Sequence, residues 1–135
     1  MEDPMPGYTK KNVSELKDSA LEFGIGEIQE ARFPAKELDA ENTGFGHQRL
    51  KPNKRQAFGH QHEDAEEVYF VIAGSGRVML DDEMVELSKD DFLRVAPEVK
   101  RRFEAGPDGL ETVVFGTRHE GDGEIHPDFW APDDD

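Results

Sequence analysis

The sequence predicts an all-β fold, a small antiparallel β-barrel or jelly roll with one short N-terminal helix. Three observations carry this. Short strand-like runs recur at roughly ten-residue spacing, with Gly, Pro, Asn and Asp clusters between them. The most strand-like run, 67–73 (EVYFVIA), is largely apolar on both faces, so both need a cover. The chain has 135 residues, enough for one core and too few for two. On this reading residues 1–135 are a single domain. Its barrel core spans about 40–118, with the helix and the C-terminal tail packed outside.

The elements follow in order. Asn12-Val-Ser-Glu15 reads as a capping box. Val13, Leu16 and Ala20 then share one side at helical spacing, and Gly24 supplies a stop. From residue 27 the period changes. Residues 27–33 and 45–51 read as strands, the second ended by Pro52-Asn53. In the run 67–73, Glu67, Tyr69 and Val71 point one way and Val68, Phe70 and Ile72 the other. Gly74-Ser75-Gly76 reads as a turn, and Asp81-Asp82-Glu83 as the tip of a hairpin. Residues 92–96, 101–104 and 110–116 complete the strands. Gly106-Pro107-Asp108-Gly109 reads as a turn between the last two.

Composition excludes several functions. There is no cysteine, so neither a disulfide framework nor a thiolate metal site exists. The longest apolar run, 68–73, falls far short of the roughly 20 residues of a membrane helix. The first twelve residues have no signal-peptide pattern, which leads to the expectation of a cytoplasmic protein. A net charge of −15 marks an acidic protein that repels phosphate backbones, so neither nucleic acid nor membrane is expected as a partner. No serine lies in a nucleophile elbow, and no glycine-rich loop opens a helix to cradle phosphate.

One constellation carries chemistry. His60-Gln61-His62 puts two imidazoles on the same face of a strand. A carboxylate follows on the next run. Two imidazoles and one carboxylate suit a divalent metal ion with open positions: Fe, Mn, Ni, Co or Zn.

The stretch 60–74 (HQHEDAEEVYFVIAG) resembles the first motif of the cupin superfamily: His-x-His, three or four residues, Glu, six residues, Gly. Glu67 satisfies that spacing to Gly74, whereas Glu66 is one residue too far away and reads as solvent-facing. The resemblance implies a cupin barrel with His60, His62 and Glu67 as metal ligands. The second cupin motif falls on 90–105 (DDFLRVAPEVKRRFEA) and is degenerate. Its histidine position carries Arg101, or Arg102 in a register one residue later; the alignments of Asp91 and Phe103 favour Arg101. A guanidinium has no lone pair to offer a metal. Two outcomes follow. Arg101 swings aside and holds an anionic ligand bound to the metal, or it pairs with Glu67 and takes the ion's place.

Other candidates are less specific. Tyr69 shares the interior with Glu67 and is a candidate substrate or hydrogen-bonding residue. Phe103 reads as pocket wall. His47 and Arg49 share one face of the strand before the motif and are candidate pocket residues. Gln56 falls in a loop or at the pocket mouth. His119 and His126 read as surface groups of a tail, anchored by Phe129 and Trp130. The resemblance implies a metal-dependent enzyme of the oxygenase or isomerase kind acting on a small anionic molecule. The alternatives are a non-catalytic ligand-binding or sensing protein and a metal-free barrel. Single-domain cupins are often dimers, and a homodimer covering the Phe70 face is expected.

Overall fold

A computed structural model describes residues 7–132. The expected acidic end of the chain, Asp133 to Asp135, lies outside the described residues. One short 3-10 turn and one short helix precede eight antiparallel strands: α1 Ser19–Glu22, β1 Gln29–Arg32, β2 Thr43–Leu50, β3 Gly59–His62, β4 Glu67–Leu80, β5 Glu83–Ser88, β6 Phe92–Val95, β7 Arg101–Thr117 and β8 Gly123–His126. The strands form one sheet that curls into a half-barrel.

The expected capping box at Asn12 is present, with the Asn12 side chain and Glu15 bonded reciprocally to backbone N–H groups. It starts only the 3-10 turn Val13–Glu15, because Leu16 is already extended. Asp18 then starts α1 afresh. Its carboxylate accepts from the backbone N–H of Ala20 and from that of Ala31 on β1, both at 3.0 Å. One side chain therefore caps the helix and fastens it to the sheet.

Two strands organise the rest. β4 and β7 pair along nearly their whole length, from Glu67↔Gly116 to Leu80↔Arg101. The first half of β4 has β6 on its other side and the second half has β5. β7 meets β2 along 110–117 and β3 at His60↔Arg101. The glycine clusters lie where this ribbon bends. Gly74 has φ +78, and a Cβ there would stand 2.0 Å from the carbonyl oxygen of Gly109, so no other residue fits. Between Gly74↔Leu110 and Gly76↔Ala105 the strands fall out of step. The segments expected to be turns, Gly74-Ser75-Gly76 and Gly106-Pro107-Asp108-Gly109, are therefore two sides of one bulged bend. Both strands continue through it.

The expected hairpin exists, with Leu80 opposite Glu83 across Asp81-Asp82. The parity expected for β4 also holds: Tyr69 and Val71 are buried while Val68, Phe70 and Ile72 are only partly covered. Leu50, Tyr69, Val71, Val78, Leu87, Val95, Phe103, Ala105, Leu110 and Val114 form a contiguous core. Among the described residues no helix is long and apolar enough to cross a membrane.

Candidate metal centre

β3 and β4 bring the three expected ligands together. The alternation of β3 puts His60 and His62 on one face, with ring centroids 5.1 Å apart and planes nearly perpendicular. Glu67 opens β4. Its Oε1 lies 3.5 Å from His60 Nε2 and 3.3 Å from His62 Nε2. One possible ligand atom from each residue falls within 4.8 Å of the others, a spacing one ion can bridge.

The surroundings set the state of each group. Burial pushes the His60 imidazole below its ordinary value. The adjoining Glu67 carboxylate, aided by Asp122, pushes His62 up. Burial works to raise Glu67, but the two adjoining imidazoles and the Tyr69 hydroxyl outweigh it and hold the carboxyl well below the usual range. The Tyr69 hydroxyl donates to Glu67 Oε1 at 2.6 Å, and burial raises the phenol well above its usual value.

Asp122 is the residue that sequence reasoning missed. It lies between β7 and β8, and its Oδ1 is 2.8 Å from His62 Nδ1. Its Oδ2 accepts from the backbone N–H groups of Asp64 and Ala65. A carboxylate on Nδ1 keeps the proton there and leaves the Nε2 lone pair toward the site. His62 Nε2 is buried with no hydrogen-bond partner among the described residues. This orphaned nitrogen, next to a carboxylate and a second imidazole, fits a divalent metal. No spacing motif links Asp122 to the His-x-His pair, so only the pairing of β8 with β3 reveals it.

Arg101 is fully buried, at 0% exposure. The ladder pairs it with His60, on the side of the three candidate ligands. Its Nη1 stands 3.6 Å from Glu67 Oε1 and its Nη2 donates to the carbonyl of Ala96 at 2.8 Å. Nε and Nη1 have no hydrogen-bond partner among the described residues. Arg102 points away, donating to the carbonyls of Gln56, Ala57, Pro127 and Phe129.

The three ligand residues and Tyr69 line a cavity of about 380 Å³, in the range of small-molecule sites. Most of its wall is apolar, including Ile25, Ala31, Phe33 and Phe58. The helix and the tail, expected outside the barrel, both contribute: α1 gives Ser19 and Ala20, and the tail gives Gly123 and Ile125. Gln56, assigned to a loop or the mouth, also lines it.

Three expected pocket residues do not line this cavity. Phe103 packs behind it, its ring 4.8 Å from that of Tyr69. Arg101 is sealed behind Glu67. His47 lies on the other face of β2, 2.5 Å from Glu111, which Arg49 also bonds. The inward residues of β2 are Gly46, Gln48 and Leu50. The expected inward position of His47 is one residue out of phase, because β2 carries a polar residue, Gln48, on its inner face.

His126 belongs to β8 rather than to a loose tail, and its Nε2 lies 2.6 Å from Gln61 Oε1. Phe129 packs on Gly59, where a Cβ would come within 2.8 Å of its ring. Trp130 lies 4.0 Å beneath the Arg55 guanidinium.

A family model described as Cupin domain matches residues 46–115. No curated protein matches the sequence. Among solved structures, a cupin protein from Bacteroides fragilis is 22% identical, with 94% of this chain and 98% of that one covered and a TM-score of 0.67. Oxalate decarboxylase from Bacillus subtilis is 23% identical over 72% of this chain, with a TM-score of 0.59; the match spans 27% of that longer chain. KdgF from Halomonas sp. is 19% identical, covering 70% of this chain and 83% of that one, with a TM-score of 0.57. At these identities the structural likenesses establish the fold.

Proposed function

The chain belongs to the cupin domain family, and from that premise we propose that it is a metal-dependent enzyme, of the oxygenase or isomerase kind, acting on a small molecule in the barrel cavity. The observation that carries this reading is the convergence of His60, His62 and Glu67 within 4.8 Å at the wall of an apolar cavity. A divalent ion held there supplies Lewis acidity or a redox centre. The chain's own groups do the rest. Asp122 holds the Nδ1 proton of His62, Tyr69 orients Glu67, and the apolar wall excludes water. Such an ion, held by two imidazoles and one carboxylate, keeps open positions that favour a ligand with oxygen donors.

Protein purified without a nickel column tests this. Near-stoichiometric metal that is lost in His60→Ala and Glu67→Ala is the expected result. Substoichiometric metal, unchanged by either substitution, rejects the site. Oxygen uptake over a panel of small carboxylic acids, catechols and sugars then tests for turnover.

A second reading has its own observation. Arg101 Nη1, 3.6 Å from Glu67, already supplies a positive charge to the carboxylate. That favours a metal-free barrel that binds or senses a small ligand. Metal analysis separates the two.

We also propose a homodimer through the outer face of β4, β6 and β7. Phe92 is 70% exposed there, its ring 4.5 Å from that of Phe70, and Phe115 is also exposed. The nearby Arg94 is paired with Glu66 at 3.2 Å, so this face is locally neutral on an acidic chain. Like-charge repulsion between copies is reduced there. Sedimentation should give a dimer that Phe70→Ser with Phe92→Ser converts to monomer.

A further inference from the structure

Buried polar side chains are costly unless partnered, and three glutamines share the cavity wall. Gln29, Gln48 and Gln56 are only 7–8% exposed, and all three line the cavity that holds the metal triad. Their hydrogen bonds fix which end of each carboxamide faces inward. The backbone N–H of Phe103 can only donate, so the Gln56 atom it meets at 2.9 Å is the oxygen. The Gln56 NH2 is then the group 2.9 Å from Gln48, where it must meet an oxygen. That leaves the Gln48 NH2 as the free group, without a partner among the described residues. Gln29 is oriented the same way, though less tightly, because its oxygen accepts from the backbone N–H of Ala57 at 3.4 Å. Its NH2 is free as well. The strands β1 and β2 therefore present the cavity with hydrogen-bond donors whose direction is set from behind by backbone N–H groups, that of Phe103 on β7 for Gln48 and that of Ala57 for Gln29.

We propose that Gln48, seconded by Gln29, is a specificity-determining residue that selects ligands bearing a carbonyl or carboxylate oxygen. The apolar body of such a ligand lies against Phe33, Phe58 and Ile25. This rests on the reading of the cavity as the ligand site. It adds a recognition group outside the metal ligands and a class of ligand: a small molecule, largely apolar, with an acceptor oxygen. The relay also says why Gln56 matters. It never needs to touch the ligand, but it decides whether Gln48 shows a donor or an acceptor.

The test uses two molecules of nearly the same shape, acetophenone and α-methylstyrene, in which a carbonyl oxygen is exchanged for a CH2 group. Binding is titrated by ligand-observed NMR on chelator-treated protein, so that no metal contributes. The hydrophobic effect alone favours α-methylstyrene. The expected result is acetophenone binding about fivefold tighter, the size of one or two neutral hydrogen bonds. Gln48→Leu should reverse the order. Gln56→Glu should also abolish the preference while leaving Gln48 intact. A carboxylate at 56 still accepts from Phe103 but cannot donate, so Gln48 turns its NH2 toward it and its oxygen toward the cavity.

Tighter binding of α-methylstyrene to the wild-type protein, an unchanged ratio in Gln48→Leu, or no binding of either molecule overturns the proposal. The wild-type comparison stands even if a variant fails to fold. Metal content, measured separately, reads the function proposed above: a metal-free protein that still prefers acetophenone fails that reading and upholds this one.

Discussion

The interior of the half-barrel has two regions that obey different rules, although β4 runs through both. Around Val71, Val78, Leu87, Phe103 and Leu110 the space is filled with apolar side chains. Around Glu67 the same strand borders a cavity lined by two imidazoles, two carboxylates and three carboxamides. Tyr69 lies on the boundary, its ring against Phe103 and its hydroxyl on Glu67. Arg101 lies there too, fully buried with its charge toward Glu67. The packed region contributes stability through burial and close contact. The polar region gives up such packing to keep groups oriented. The stability of this fold and its chemistry should therefore be separable by mutation.

The largest expected effect lies in the packed region. Phe103→Ala removes a buried ring and should cost about 3–5 kcal/mol, read as a lowered denaturant midpoint. A loss below about 1 kcal/mol would mean that this region is not the mechanical core. The next effect lies on the boundary. Arg101→Met leaves Glu67 without the cation behind it, a loss of about 3 kcal/mol by comparison with other broken buried pairs. Unlike the loss at Phe103, this one should be recovered by adding a divalent metal, because the ion supplies the missing charge. Chemical unfolding with and without metal checks both. If metal restores Phe103→Ala as fully as Arg101→Met, the distinction between the regions is wrong.

The same division explains how much was legible in the sequence. Period-two alternation located β2, the inward parity of β4 and the β4–β5 hairpin, because apolar side chains on a pleat report their own burial. It failed where buried residues are polar. Gln48 faces inward on β2 and His47 outward, the opposite of what their chemistry suggests. The His-x-His and glutamate spacing fixed three residues of the site because all three lie on consecutive strands within one short stretch. Asp122 was invisible because its contact with His62 spans sixty residues of sequence and exists only once β8 pairs with β3. The two glycine clusters were misread as turns for a related reason. A glycine at positive φ marks a bend, but only the pairing partner decides between reversal and bulge.

Asp122 gives the next smaller effect. Asp122→Ala removes the acceptor on His62 Nδ1, and divalent-metal affinity should fall roughly 10–100-fold, or about 1.4–2.8 kcal/mol, in competition with a fluorescent chelator. Asp122→Asn retains an oxygen that can accept and should fall between wild type and Asp122→Ala. Equal affinity in all three would confine Asp122 to holding the backbone of Asp64 and Ala65.

The smallest effect belongs to the outer face, where solvent replaces both kinds of interior. Glu111 bonds His47 and Arg49 across the β2–β7 ladder. Its partial burial works to raise the carboxyl, but these hydrogen bonds and charges outweigh it and lower the pKa. A carboxylate whose folded pKa is depressed contributes stability above its unfolded value, near 4.3. That contribution is lost as pH falls through the lower folded value. Wild type should therefore exceed Glu111→Gln by no more than about 1 kcal/mol at neutral pH, as for ion pairs open to solvent. The gap should close as the solution is taken below pH ~4. A gap that persists in acid would show that Glu111 acts through packing or a neutral hydrogen bond. The outer ladder would then resemble the packed region more than the solvated surface its charges suggest.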